Sequence, residues 1–385
     1  MWCGEKYLVN CEGVYVDLYH PRSRGEGMRI VVDVNHPAHV HYFKNFIREM
    51  EERGHEVLVT ASEKDISFEL LEKYHIGFKN VGSYGTSLVR KLINIPIIDV
   101  RYYNLTKGFQ PDIFIGAGSI RAAHVSYLLR KPCINFEDTE HSTEQIRLYL
   151  PFVEGVPTPS CFTQDLGKKQ IRFSGYMELA YLHPNRFTPD PAVLDDLGLA
   201  EGDPFTIVRF VSWQASHDLG QHGIHDRVGL VKALEHYGRV LITSEGALPA
   251  ELQDYRLRVS PEKLHDLLYY ATLYVGEGGT MASEAAILGT PSIYVSSLAG
   301  TMGNFIELEE TYDLLYSFTD GSAALGKAIE ILQDPASKEK WRSKRERLLA
   351  DKIDVTAFMV WFIENYPRSF TVQSRHGNTI KRSLS

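Results

Sequence analysis

The stretch Val275-Gly276-Glu277-Gly278-Gly279-Thr280-Met281-Ala282-Ser283-Glu284-Ala285-Ala286-Ile287-Leu288-Gly289-Thr290-Pro291 decides the reading of this chain. An apolar strand, Leu273 to Val275, runs into glycines; a helix begins at about Thr280, and Gly289-Thr290-Pro291 ends it before a further strand, Ser292 to Val295. Glycines at such a turn let backbone N–H groups approach a ligand closely. Those groups stand at the positive end of a helix dipole, which favours phosphate. The stretch therefore predicts a grip on a diphosphate-bearing ligand.

Working outward, the same strand-then-helix texture fills the chain. Met28 starts a strand over Arg29 to Val34. Phe43, Phe46, Ile47 and Met50 then share one helical face, Gly54 stops that helix, and Val57-Leu58-Val59 resumes as a strand. Strand Ile113 to Ile115 precedes helix Arg121 to Arg130, and strand Cys133 to Phe136 precedes helix Glu144 to Tyr149. Between Gly175 and Pro204 the texture changes to Pro, Gly and Asp, which marks a domain boundary. A second series follows: strand Phe205 to Val211, helix Arg227 to His236, strand Arg239 to Thr243, and helix Pro261 to Tyr270 with Ser260 as N-cap. Repeated βα units predict an α/β fold of two Rossmann-like domains, with parallel sheets facing a central cleft and functional loops at the carboxyl ends of the strands. The expected division is an appendage over residues 1–27, an N-terminal domain over 28–180, a C-terminal domain over 181–353, and a final helix and tail over 354–385. Val14-Tyr15-Val16 in the appendage reads as a short strand with no evident partner. In the last helix Phe358, Trp361 and Phe362 require a surface to cover them, and the N-terminal domain is the expected one.

Composition bounds the function. The chain has 385 residues, 44% hydrophobic and 23% charged, which suits a soluble globular protein with two cores. Its net charge of −8 and lack of a basic tract argue against nucleic acid as a partner. Cys3, Cys11, Cys133 and Cys161 form no CxxC pair, so neither a zinc site nor a disulfide framework is expected, and a reducing cytoplasm fits. No apolar run approaches the length of a membrane span.

Several stretches together carry a resemblance. They are Asp33-Val34-Asn35-His36-Pro37-Ala38-His39-Val40-His41, Gly54-His55-Glu56-Val57, Gly175 to Leu182, Ser212-Trp213-Gln214-Ala215-Ser216-His217-Asp218, and Gly276 to Pro291. From Met28 onward the chain resembles a family of archaeal and bacterial predicted glycosyltransferases of the GT-B fold. These are related to the N-acetylglucosaminyltransferase that makes lipid II and to the non-hydrolysing UDP-N-acetylglucosamine 2-epimerases. The resemblance implies a nucleoside-diphosphate-sugar donor, UDP-linked in preference, and transfer to a hydroxyl acceptor, lipid-linked in the lipid II case. It implies no cofactor and no metal, since the chain lacks the Asp-x-Asp triad of the metal-dependent GT-A enzymes. GT-B enzymes offset the charge of the departing diphosphate with helix dipoles and basic side chains.

In that likeness Gly278, Gly279 and Thr280 contact the diphosphate and Glu284 holds the ribose hydroxyls, a task suited to a carboxylate accepting two hydrogen bonds. Val259 and Leu264 are the candidates beside the base. Arg209 and His217 stand where donor-phosphate contacts are expected, and Gly118 and Ser119 form a second glycine turn toward the cleft. His39, in the first loop where a helix begins, is the candidate base or phosphate neighbour, with His36 and His41 as rivals, and Asp33 ends the first strand and faces the same cleft. Glu137 and Asp138 open a loop, Glu137-Asp138-Thr139-Glu140-His141, denser in ionisable groups than a solvated turn needs. Closure of the two domains is expected to assemble the site. The epimerases carry a Thr-x-His-Arg-Arg-Glu-Asn motif near His217 that this chain lacks, which favours transfer over epimerisation. Epimerisation of the sugar nucleotide and binding without catalysis are the alternatives. Leu88-Val89-Arg90-Lys91-Leu92-Ile93-Asn94-Ile95-Pro96-Ile97-Ile98 is apolar and basic; a buried helix is the commoner explanation of such a stretch, and membrane contact, as made by a hydrophobic, basic patch of the lipid II enzyme, is the alternative that the resemblance offers.

Overall fold

A computed structural model describes residues 7–9, 15–17, 27–83, 85, 88–211 and 223–375. The chain divides into two compact units. The first joins residues 1–186 to 351–385, and the second is 187–350.

The first unit is built on five parallel strands: β3 (Arg29–Val34), β4 (Glu56–Ala61), β5 (Phe78–Asn80), β6 (Ile113–Ala117) and β7 (Cys133–Phe136), in the order β5-β4-β3-β6-β7. Strand β3 pairs Arg29 to Val34 with Glu56 to Ala61 on one side, and Ile30 to Asp33 with Ile113 to Gly116 on the other. It is covered on both faces, which is why it reads Ile-Val-Val-Asp-Val rather than alternating. Beyond β7, two short parallel strands, β8 (Val156–Pro159) and β9 (Gln170–Phe173), follow; β8 is tied to β7 through the amide of Asn135 donating to the Gly155 carbonyl over 3.1 Å. Ahead of β3 lies an antiparallel pair, β1 (Tyr7–Val9) and β2 (Tyr15–Asp17). The strand at Tyr15 thus has a partner, correcting the expectation that it has none; hydropathy over three residues carries no pairing information.

The C-terminal helix Val355–Glu364 returns to this unit. Its N-cap Asp354 accepts from the Ala357 amide over 3.0 Å, and Thr356 donates to the Ala180 carbonyl over 2.7 Å, an oxygen also reached by Asn45 of the helix Pro37–Glu52. Phe358 stacks on Phe173 with ring centres 5.1 Å apart, and Arg186 bridges Glu49 and Asp354 at 2.8 Å each. Phe358 and Phe362 are buried, so the apolar face has its cover.

The second unit repeats the plan. Strands β10 (Phe205–Phe210), β11 (Arg239–Ser244), β12 (Leu273–Gly276), β13 (Ser292–Val295) and β14 (Leu315–Phe318) are all parallel, in the order β11-β10-β12-β13-β14. In each five-stranded sheet the strand order reverses beside that sheet's first strand, between β3 and β6 and between β10 and β12. Crevices for ligands form at the carboxyl ends of such a reversal. The expected helix Pro261 to Tyr270 is a 3₁₀ turn, Pro261–Lys263, followed by α-helix Leu264–Tyr270; the Ser260 hydroxyl donates to Glu262 over 2.5 Å instead of capping the backbone.

Candidate functional site

In the first unit, side chains from the ends of β3 and β4 and from the turn after β6 gather around a buried ion pair. Asp33 and Arg121 are both fully buried, with Arg121 Nη2 2.8 Å from Asp33 Oδ1 and Nε at 2.9 Å from both carboxylate oxygens. Thr60 donates to Oδ1 over 2.8 Å and Ser119 to Oδ2 over 2.6 Å. Arg121 also donates to the Ser62 hydroxyl and, over 3.2 Å, to the Val34 carbonyl. A buried charge persists only when paired and hydrogen-bonded in this way. Asp33 is therefore committed to fixing the ends of β3 and β4 and the start of helix Ile120–Leu129. Ser119 caps that helix, its Oγ accepting from the Ala122 amide over 3.1 Å. Gly118, at φ +54, makes room for Gln145 and Glu137: a Cβ there would stand 2.7 Å from Gln145 Nε2.

Helix Pro37–Glu52 begins just after β3, with Pro37 at its first position and His36 as N-cap, Nδ1 accepting from the Ala38 amide over 3.2 Å. His41 is buried against Tyr181, ring centres 5.2 Å apart, with Tyr74 Oη 3.4 Å from its Nδ1. Of the three rivals, His39 differs: its Nδ1 is sealed from solvent and has no hydrogen-bond partner among the described residues. Burial, and then the charges of His36, Lys64 and Arg121, hold His39 well below the usual imidazole range; burial and Lys64 take His36 down to about 3. Both rings are neutral at physiological pH.

The loop after β7 supplies the acid. Glu137 Oε2 accepts from Tyr149 over 2.8 Å, while Oε1 accepts from the amides of Thr139 over 3.1 Å and Asp138 over 3.2 Å. Burial, reinforced by the neighbouring Asp138 charge, outweighs those donors and pushes Glu137 up to about 8. Asp138 is half-buried; burial raises it, against the hydroxyls of Tyr42 at 2.7 Å and Thr139 at 3.1 Å. A neutral imidazole and a carboxyl that keeps its proton near neutrality thus occupy the same end of one sheet, a division of acid and base set by environment.

In the second unit, Gly276 ends β12 and helix Gly279–Leu288 starts at once, with Gly278 as N-cap. Having no side chain, Gly278 leaves the first N–H groups of the helix uncapped from that position. Gly278 and Gly279 are half-buried and Thr280 is exposed. The close approach is real: a Cβ on Gly276 would stand 2.7 Å from Arg209 Cβ, and one on Gly278 3.0 Å from Arg209 Cγ. Arg209 itself extends to Glu245 at 2.7 Å. Glu284 is buried inside the helix, Oε1 2.9 Å from His265 Nε2. Val259 and Leu264 are half-buried at the entry to the preceding helix. Glu277 turns away from the glycine turn: it accepts from the amides of Val211 at 2.8 Å and Ile224 at 2.7 Å and pairs with Arg227 at 3.2 Å. His217 and the stretch Ser212 to Asp218 lie outside the described residues.

Sequence reasoning passed over Arg121, Tyr42, Tyr149, His265 and Glu277. Arg121 left one signal, a lone cation in the first turn of an otherwise apolar helix. Tyr42 left another, since it stands three residues after His39 and so on the same helical face. Among the described residues no group of three or more His, Cys, Asp or Glu is placed to hold a metal ion, and no helix is long and apolar enough to cross a membrane. In helix Leu88–Thr106, Ile93 is 64% and Ile97 51% exposed, whereas Ile98 is buried.

Residues 28–381 match the family described as "Protein of unknown function (DUF354)". The "Uncharacterized protein MJ0665" of Methanocaldococcus jannaschii is 27% identical over 327 residues, which cover 79% of this chain and 94% of that protein. Among solved structures, the UDP-GlcNAc 2-epimerase from Neisseria meningitidis bound to UDP-GlcNAc superimposes with a TM-score of 0.59 at 11% identity, covering 88% of this chain and 100% of that one. The Streptomyces sp. SF2575 glycosyltransferase SsfS6, complexed with thymidine diphosphate, gives 0.55 at 13% identity, covering 86% and 99%. At these identities the likeness shows the fold, an α/β architecture of parallel sheets shared by GT-B transferases and epimerases.

Proposed function

This chain belongs to the DUF354 family, and from that premise we propose that it is a glycosyltransferase using a nucleoside-diphosphate sugar, UDP-linked in preference, as donor. The reading rests above all on His39, a neutral, half-buried imidazole with a sealed, unpartnered Nδ1 at the strand ends where the sheet order reverses. A buried polar atom without a partner costs free energy, which a ligand hydroxyl offsets by donating to it. In the reaction, His39 takes the proton of an acceptor hydroxyl while its oxygen bonds to the anomeric carbon of the donor. The carbon–oxygen bond to the diphosphate breaks, and the electron pair leaves with the diphosphate.

The donor belongs to the second unit in this reading. Gly278, Gly279 and Thr280 offer uncapped N–H groups and a positive dipole end to the diphosphate, and Glu284, steadied by His265, reaches the ribose. Arg209 and His217 remain phosphate contacts, Val259 and Leu264 flank the base, and Gly118 shapes the turn on the first unit. Asp33 and Ser119 act by holding that turn rather than by touching substrate, because both side chains are consumed by buried partners. Glu137 and Asp138 complete the acid–base set. Peripheral membrane contact through residues 88–98, with Ile93 and Ile97 exposed, suits a lipid-linked acceptor.

Two neighbouring carboxyls with Glu137 raised to about 8 favour a second reading, epimerisation of the sugar nucleotide by proton shuttling. One experiment separates them. The protein is incubated with UDP-, GDP- and dTDP-sugars, with and without cell-envelope lipid extract, and nucleoside diphosphate release and sugar isomerisation are followed. Release that needs the extract supports transfer, isomerisation without an acceptor supports epimerisation, and tight binding with neither supports a non-catalytic sugar-nucleotide binder.

A further inference from the structure

We propose that Tyr42 is a positioning residue that joins the His39 imidazole to the Asp138 carboxylate, so that the base on one element and the acidic loop on another act as one unit; this rests on the assignment of His39 given above. The two rings lie nearly parallel, with centres 5.7 Å apart and planes inclined by 23°, as their spacing of three residues along helix Pro37–Glu52 allows. The Tyr42 hydroxyl donates to Asp138 Oδ2 over 2.7 Å, across 96 residues of sequence, from the helix to the loop after β7. Its ring also lies 6.1 Å from that of Tyr181, so the side chain is gripped on a second flank and is itself buried. The hydroxyl favours the ionised form of Asp138, while the ring of the same side chain lies against the His39 imidazole. Tyr42 thereby ties the orientation of the His39 ring to the loop that carries Asp138. The other ionisable groups acting on His39 are His36, Lys64 and Arg121; Glu140 acts on Asp138 by charge, Glu137 is its ionisable neighbour, and the Thr139 hydroxyl donates to it.

The test uses two variants of the full chain. Tyr42→Phe keeps the stacked ring and removes the hydroxyl; Tyr42→Leu removes both. Titration of His39 is followed by ¹H–¹⁵N NMR of the imidazole, alongside the turnover assay above. Tyr42→Phe is expected to shift the His39 titration, to lower kcat by about 5- to 100-fold with KM for the donor unchanged, and to move the acid limb of the pH–rate profile. Tyr42→Leu is expected to broaden the His39 ring signals in addition. A native His39 titration in Tyr42→Phe overturns the coupling. If the titration shifts while no sugar nucleotide is turned over under any condition, the coupling stands and the transferase reading fails.

Discussion

The Nε2 atom of His265 lies 2.9 Å from Oε1 of Glu284, both side chains buried, so the carboxylate of the glycine-turn helix is held from the neighbouring helix Leu264–Tyr270. A buried acid held in one place is suited to a diol, whose two hydroxyls demand fixed acceptors. Glu284→Ala should weaken binding of UDP-N-acetylglucosamine or dTDP-glucose by about 1 to 3 kcal/mol, roughly 5- to 150-fold, by isothermal titration calorimetry. His265→Phe should give a smaller loss. Unchanged affinity in Glu284→Ala removes Glu284 from the ribose.

Glu137 gives the fold a pH dependence whose sign is fixed. Folding raises its pKa from 4.5 to about 8, so the folded state holds the extra proton. The stability this group contributes is complete below pH 4.5 and drains away as the pH climbs to 8. The native protein should therefore lose stability relative to Glu137→Gln across that window, at up to about 1.4 kcal/mol per pH unit. Thermal melts of both proteins at stepped pH read the difference directly, and parallel curves refute it.

Arg121→Met leaves the Asp33 charge buried with no cation beside it. Denaturant unfolding should show a loss of about 3 to 5 kcal/mol. Adding Asp33→Asn to the same chain should recover a substantial part, because the penalty lies in the orphaned charge more than in the missing contact. Equal instability of the single and double variants would place the cost elsewhere.

Gly118 and Gly167 form a matched pair for testing the turn after β6. Both have φ in the left-handed region, +54 and +71, but a Cβ on Gly118 meets Gln145 and Glu137 within 3.3 Å, and one on Gly167 meets nothing within 4 Å. Gly167→Ala should cost about 1 to 2 kcal/mol, the backbone penalty alone. Gly118→Ala should cost more and should also depress turnover by displacing Glu137. Equal melting temperatures would show that the turn accommodates a methyl group.

The fold was legible because parallel α/β architecture writes itself locally. Strand β3 is a continuous apolar run and helix Pro37–Glu52 repeats Phe43, Phe46, Ile47 and Met50 on one face, and both stand where periodicity put them. The strand at Ser292–Val295 and the glycine turn before it were equally plain. What stayed hidden was pairing at a distance. Asp33 in sequence is an acid at a strand end, and only the approach of Arg121, 88 residues on, turns it into an anchor. Likewise Glu277 sits within the glycine motif yet faces Val211 and Ile224. No local pattern records which carboxylate in such a turn is spent on the scaffold.

The first unit is closed by a segment that follows the second unit in the chain. Residues 187–350 carry every strand of the second sheet, and a ribosome releases them before the helix Val355–Glu364 exists to cover Phe173 and the Ala180 carbonyl. During synthesis, then, the second unit can complete its fold as a continuous stretch, while the first must wait, its apolar flank uncovered, for helix Val355–Glu364. The half that binds the sugar nucleotide in the proposed reading is thus the half that matures first, and the half bearing His39 is finished only after the whole of the other has been made.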